Sequence, residues 1–228
     1  MVHIISSLIL FGVLIVNCVF GNAPTTGQQV FGIRTTYHGA HEAGACALPQ
    51  ASYAISHPIA IGDIESLKYF KYRPELCGHV LQLDCGNGPL DVIVTNSNLG
   101  QGLDLYASTW NRLTNHKSPG ITKCSIQLSI RKAFDFDGPR CFHRPGSDSA
   151  HNKYYRCVGL LNTGGLIVLS ATIDGHHGKY MQSSPYFEFS YGQQIDGNKQ
   201  IAFTLADGTI HNVYLRDCEN QYNQQLWR

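Results

Sequence analysis

From Gly32 onward the chain is written in short alternating runs separated by glycine-rich turns, and that pattern leaves room for little besides β structure. "KCSIQLSI" puts Cys124, Ile126, Leu128 and Ile130 on one face and Ser125, Gln127 and Ser129 on the other, the period of a half-buried strand. "CGHVLQLDC" does the same with His79, Leu81 and Leu83, and "DVIVTN" follows the turn "GNGP". Only "YASTWNRL" departs from this period, with Trp110 and Leu113 at helical spacing. After "AFDFDGP" the runs become regular: "YYRCVGLL", "GLIVLSATI", "YFEFSY", "KQIAFTL" and "IHNVYL". The last two flank Asp207-Gly208, a pair that supplies the positive φ angles of a tight hairpin. The pattern predicts two β units dividing near residues 133–139: a barrel-like module with one helix, then a β-sandwich.

The first residues have another texture. From Ile4 to Phe20 there is no Lys, Arg, Asp or Glu, and small Gly21 closes the run, so residues 1–21 are expected to be a secretory signal peptide. About 17 apolar residues is at the short limit for crossing a bilayer, and no membrane partner is expected once that segment is removed. The eight cysteines are Cys18 in this leader and Cys46, Cys77, Cys85, Cys124, Cys141, Cys157 and Cys218 beyond it, with no C-x-x-C pair. That spacing speaks for disulfides in an oxidising, extracellular compartment and against zinc. Beyond the leader the number is odd, so one thiol is free or pairs with another chain.

Charge narrows the partner. With 14% charged residues and a net charge of +1, the chain offers no electrostatic case for nucleic acid or an anionic membrane. Its 23 Gly, 12 Tyr and 10 Phe suit a loop-rich protein that binds a neutral partner through aromatics and hydrogen bonds. His38 and His41 are three apart and His176 and His177 adjacent, but neither pair has a third ligand at a recognised spacing, so neither a metal nor another cofactor is expected. Against this background Asp104, set between Leu103 and Leu105 just before the helix, needs a reason. It is either a turn or N-cap carboxylate or a group aimed at a ligand.

Several of these strings, in order, resemble expansins. "TTYHGAHEAGACALP" is similar to that family's Thr-Tyr/Trp-x-Gly element leading to Gly-Ala-Cys, and "CGHVLQLDC" to its Cys-Gly strand. "VIVTNSNLGQGLDLYASTWNRL" resembles its Val-Thr-Asp and Asp-Leu-Ser elements, and "NKYYRCVGLLNTGGLIVLSATIDGHHGKYM" the start of its second domain. The resemblance implies a mainly β fold: a six-stranded double-psi β-barrel over residues 22–133, then an immunoglobulin-like β-sandwich over 137–228 that binds polysaccharide. It implies a secreted monomer that grips cellulose or another β-glucan of a cell wall and loosens it without hydrolysis, the alternatives being a weak endoglucanase or transglycanosidase like the family-45 glycosidases, or a carbohydrate-binding or defence protein with an inactive groove.

The same resemblance assigns roles. Asp104 is the groove carboxylate, Thr36 a hydrogen-bond donor, and Tyr37 a sugar-stacking or groove-lining aromatic. Asn96 stands where the family has the Asp of Val-Thr-Asp and can hydrogen-bond a sugar but not take a proton. Glycoside hydrolysis needs a second carboxylate across the scissile bond. The Thr-Tyr element offers none, and the nearest acid, Glu42, lies past the glycine. Tyr154, Tyr155 and Tyr186 match the family's sugar-stacking platform, although adjacent strand residues face opposite ways, so Tyr154 and Tyr155 are not both expected to lie flat on one surface. Cys46 and Cys77 match a family disulfide. Val80 replaces the cysteine that would otherwise bridge from the middle of that strand, which leaves Cys85 to Cys124; the choice among Cys141, Cys157 and Cys218 stays open.

Overall fold

The computed structural model describes residues 24–39, 44–100 and 102–220. The expected signal peptide, His41 and Glu42 lie outside the described residues. Six strands, β1 (Gln29–His38), β2 (Pro58–Gly62), β3 (Val80–Asp84), β4 (Leu90–Asn98), β5 (Leu103–Tyr106) and β6 (Ile121–Leu128), close into a barrel in the order β1-β5-β2-β4-β3-β6. β1 runs parallel to β5 and β2 parallel to β4, while the other neighbours are antiparallel. This is the double-psi barrel.

Alternation fills it. Ile33, Ile59, Ile61, Leu81, Leu83, Val92, Val94, Leu103, Leu105 and Ile126 are all buried in one cluster. Each such side chain contributes about 1.5–3 kcal/mol by leaving water. The helix α1 (Ala107–Thr114) closes one end, burying Trp110, Leu113 and Thr114, the i, i+3, i+4 stripe of an amphipathic helix. Trp110 Nε1 donates to the Lys117 carbonyl, so the ring is buried without an orphan donor. Asn115 ends the helix in the left-handed region at φ 54°.

The second unit is a sandwich of two four-stranded sheets. One pairs β7 (Arg140–His143), β8 (Arg156–Leu161), β12 (Phe187–Phe189) and β11 (Lys179–Tyr180); the other pairs β10 (His176–His177), β9 (Val168–Ile173), β13 (Gln200–Leu205) and β14 (Ile210–Tyr214). Val158, Leu160, Phe187 and Phe189 of the first sheet face Ala171, Ile173, Ile201 and Phe203 of the second.

The first sheet is buried on its other face too. Phe142, Cys157, Leu161 and the adjoining Tyr186 pack with Ile55, Val80 and Ile93 of the barrel and with Phe134 of the linker. The connection between the units is thus anchored by buried Ala133 and Phe134 rather than left as a loose tether. Asn162, at φ 65°, pins it: its Oδ1 accepts from Ala133 N at 3.0 Å, and its Nδ2 donates to Phe136 O at 2.8 Å. Tyr72 of the barrel donates to Ser183 O of the sandwich at 2.8 Å.

Disulfides join Cys46 to Cys77, Cys85 to Cys124 and Cys141 to Cys218, and Cys157 is the buried free thiol. They close spans of 31, 39 and 77 residues, a loop-entropy stabilisation of about 3–4.5 kcal/mol each.

Candidate functional site

Four side chains line up across the outside of the barrel. Thr36 of β1 pairs with Asp104 of β5, Asp104 with Ala60 of β2, and Ala60 with Asn96 of β4. On β1, β5 and β2 the flanking Tyr37, Leu103, Leu105, Ile59 and Ile61 pack toward the barrel core, so Thr36, Asp104 and Ala60 share the outer face. Asn96 reaches that face because the register slips at Thr95: Ile59 pairs with inward Val94, but Ala60 pairs with Asn96. Without this extra residue, alternation would turn Asn96 into the core. The row spans about 14 Å, three inter-strand spacings, with the methyl of Ala60 as a shallow floor.

Asp104 is the only carboxylate in the row and is one-fifth exposed. Thr36 Oγ1 donates to its Oδ1 at 2.7 Å, with the Leu103 carbonyl a longer second acceptor at 3.2 Å. His38, two residues along β1 on the same face, brings Nδ1 to 3.4 Å from Oδ2. The His38 ring stands edge-on to Tyr106 at 5.5 Å, and Tyr106 Oη accepts from Asn96 Nδ2 at 3.3 Å. Polar contacts join Thr36 and His38 to Asp104 and Asn96 to Tyr106, and the edge-on His38–Tyr106 ring contact brings the two groups together. The helix-cap reading of Asp104 is corrected by the backbone: Tyr106 is the N-cap residue of α1 and no side chain caps it.

Asn96 is largely committed to the protein. Its Oδ1 accepts from the amides of Ala45 at 2.8 Å and Ser97 at 2.9 Å. The first of these seats the Cys46 loop on β4, where Gly44 sits so close that a Cβ would lie 1.8 Å from the Thr95 carbonyl oxygen.

Tyr37 does not join the row. It pairs with core Leu105 and packs edge-on to Trp110 at 5.8 Å, on the face of β1 opposite Thr36 and His38. His38 and Tyr106 take the places beside Asp104 that sequence reasoning left empty; each lies two residues from an expected site residue, the spacing that puts strand side chains on one face.

In the sandwich the three tyrosines part company. Tyr154 is 53% exposed, with its hydroxyl accepting from Gln194 Nε2 at 3.1 Å. Tyr155 is half-buried and donates to Glu188 Oε1 at 2.9 Å. Tyr186 is 0% exposed and donates to the barrel's Ala47 carbonyl at 3.0 Å. The expectation that Tyr186 stacks on sugar is corrected: its ring is spent between the two units and has no face left for a ligand. Among the described residues no group of three or more His, Cys, Asp or Glu side chains is placed to hold a metal.

A scan of the sequence against protein-family models and a search of curated proteins both return no match. The structure does match. It superposes on a point mutant of the Clavibacter michiganensis expansin in complex with cellohexaose with a TM-score of 0.64 at 19% identity, covering 88% of this chain and 98% of that one. This chain is expansin-like in fold. The apo expansin of the same organism superposes with a TM-score of 0.56 at 16% identity, covering 88% of this chain and 94% of that one. The likeness to the expansins thus runs through barrel and sandwich together, and the Thr36–Asp104 row lies on the barrel.

Proposed function

We propose that this protein is a secreted, extracellular, monomeric carbohydrate-binding protein that grips a β-glucan chain along the Thr36–Asp104–Ala60–Asn96 row and loosens cell-wall polysaccharide without cutting it. The observation that carries this reading is the row itself: hydrogen-bonding groups on a shallow floor, with one carboxylate among them and, in Asn96, an amide that cannot take a proton. Paired-carboxylate hydrolysis takes two acids on opposite sides of the bond, about 5–9.5 Å apart. Among the described residues the groups that meet Asp104 are a hydroxyl and an imidazole.

Further support comes from the expansin fold and from the Clavibacter relative crystallised with cellohexaose, a cello-oligosaccharide. Three disulfides suit an oxidising compartment. In the proposed action the row holds one chain in a twisted state while exposed Tyr154 and the edge of Tyr155 lie on the fibre. Binding energy that is realised only in the twisted state lowers the barrier to leaving the neighbours.

The test is creep of a wall strip under constant load with added protein, alongside a reducing-end assay on soluble glucan. Extension without new reducing ends supports the reading. New ends that vanish in Asp104→Asn would make the protein a glycosidase instead, and binding with no extension would reduce it to a carbohydrate-binding module.

A further inference from the structure

In the sandwich, the turn before β8 and the segment after β14 line a cavity of about 410 Å³. Its walls carry Lys153, Arg156, Arg216, His143 and His151, and among the described residues no carboxylate lines it. In a chain of net charge +1 with few charged residues this is a pronounced local excess. We propose that this cavity is a second binding site, for a sugar that carries an anionic group, a uronate carboxylate or a sugar phosphate.

The cationic wall is built rather than incidental. Arg156 is 7% exposed, and its guanidinium is held by the carbonyls of Ser149, Asn152, Tyr155 and Ile195. Those are neutral acceptors, so the charge is positioned without being cancelled by a hydrogen-bonded carboxylate. The Asp196 carboxylate acts on it only through space. Arg216 donates to Asn198 Oδ1, lies over the Tyr214 ring at 4.8 Å, and has Asp217 at 3.8 Å with both side chains more than half exposed, a weak pairing in water. Lys153 is exposed at the mouth, beside the backbone bond from Ile195 N to its own carbonyl at 2.7 Å. Buried His143 is hydrogen-bonded to Ser149 Oγ at 2.7 Å and forms an uncharged polar floor.

Size and chemistry then choose the ligand class. The volume falls in the range of small-molecule pockets, about 300–1,000 Å³, and exceeds what a bare oxyanion fills. Leu215 supplies an apolar wall for a ring face, while the arginines and lysine offer charge-assisted hydrogen bonds to one anionic group. A neutral glucose brings no charge to meet Arg156, Lys153 and Arg216.

The experiment is calorimetric titration of the full chain with D-galacturonate, D-glucose 6-phosphate and D-glucose, at low and high salt. Binding of either anionic sugar, weakened by salt and absent for glucose, supports the site, and the stronger of the two identifies the source of the anion. Lys153→Gln and Arg216→Gln, both at exposed side chains, are each expected to weaken that binding about tenfold, the effect of losing one charged hydrogen bond. Insoluble-cellulose binding by the same variants is expected to be unchanged, which keeps this site separate from the barrel row. Equal binding of glucose, no binding of either anion, or indifference to both substitutions overturns the proposal.

Discussion

Replacing Asp104 by asparagine keeps the shape of the side chain and an oxygen for Thr36 Oγ1 to meet, while removing the charge that faces His38. Wall loosening should be lost in Asp104→Asn, whereas cellulose binding should change less than about twofold and stability by less than about 1 kcal/mol. A fall in thermal midpoint as large as that of a core substitution would show the carboxylate to be structural. Tyr186 calls for the opposite pattern. Tyr186→Phe leaves the Ala47 carbonyl unpaired and should cost about 1–3 kcal/mol, and Tyr186→Ala about 3–5 kcal/mol, in urea denaturation. Neither should weaken cellulose binding at temperatures where the variant is folded. The contrast marks what could be read from residues alone. Thr36 and Asp104 stand out through the expansin-like strings that carry them, Asp104 also as a lone acid between two leucines. Tyr186 misleads because nothing in "SSPYFEF" says that the face it occupies is covered by the barrel.

The strands impose the next limit. Alternation in β6 and β3 was legible, and with it the two β units, because inward residues in those strands are uniformly apolar. The row across the barrel was not, since it depends on which strands become neighbours and on the slip at Thr95, neither of which leaves a local mark. Glycine supplies the missing constraint at Gly102, where a Cβ would lie 1.9 Å from the Arg34 carbonyl oxygen, so that β5 lies against β1 closely enough for Asp104 to meet Thr36. Backbone oxygen does not yield as a side-chain tip does. Gly102→Ala should therefore cost about 1–3 kcal/mol or more and pull β5 from β1, weakening the groove along with the fold. Gly120→Ala, where the nearest atom is 3.9 Å away, is the matched control and should be nearly neutral. Equal tolerance of both alanines, measured by thermal unfolding, would mean that the β1–β5 approach is adjustable and that the Thr36–Asp104 geometry is not fixed by packing.

Across the whole molecule the buried interface makes a claim about cooperativity that acid can test. Burial holds the His79 imidazole down to about 4 in the barrel, and burial, with the Arg156 charge second, holds His143 down to about 4 in the sandwich. In the unfolded chain both imidazoles return to about 6.5 and so take up protons first as the pH falls. The stability tied to them is thus fully present above about 6.5 and is lost progressively down to about 4, by about 3 kcal/mol for each histidine. Because Phe142, Leu161 and Tyr186 share one cluster with Ile55, Val80 and Ile93, and Asn162 pins the connection between them, the two units should unfold together. A single acid transition is expected by both tryptophan fluorescence and far-ultraviolet circular dichroism. His79→Gln should flatten the pH dependence of that whole transition, including the signal from the sandwich, whatever it does to stability at neutral pH. Two separable transitions, with His79→Gln changing the slope of only one, would show that barrel and sandwich are independent. The proposed division of work, a groove that twists a chain while the sandwich holds the fibre, would then lack the rigid connection needed to carry load between them.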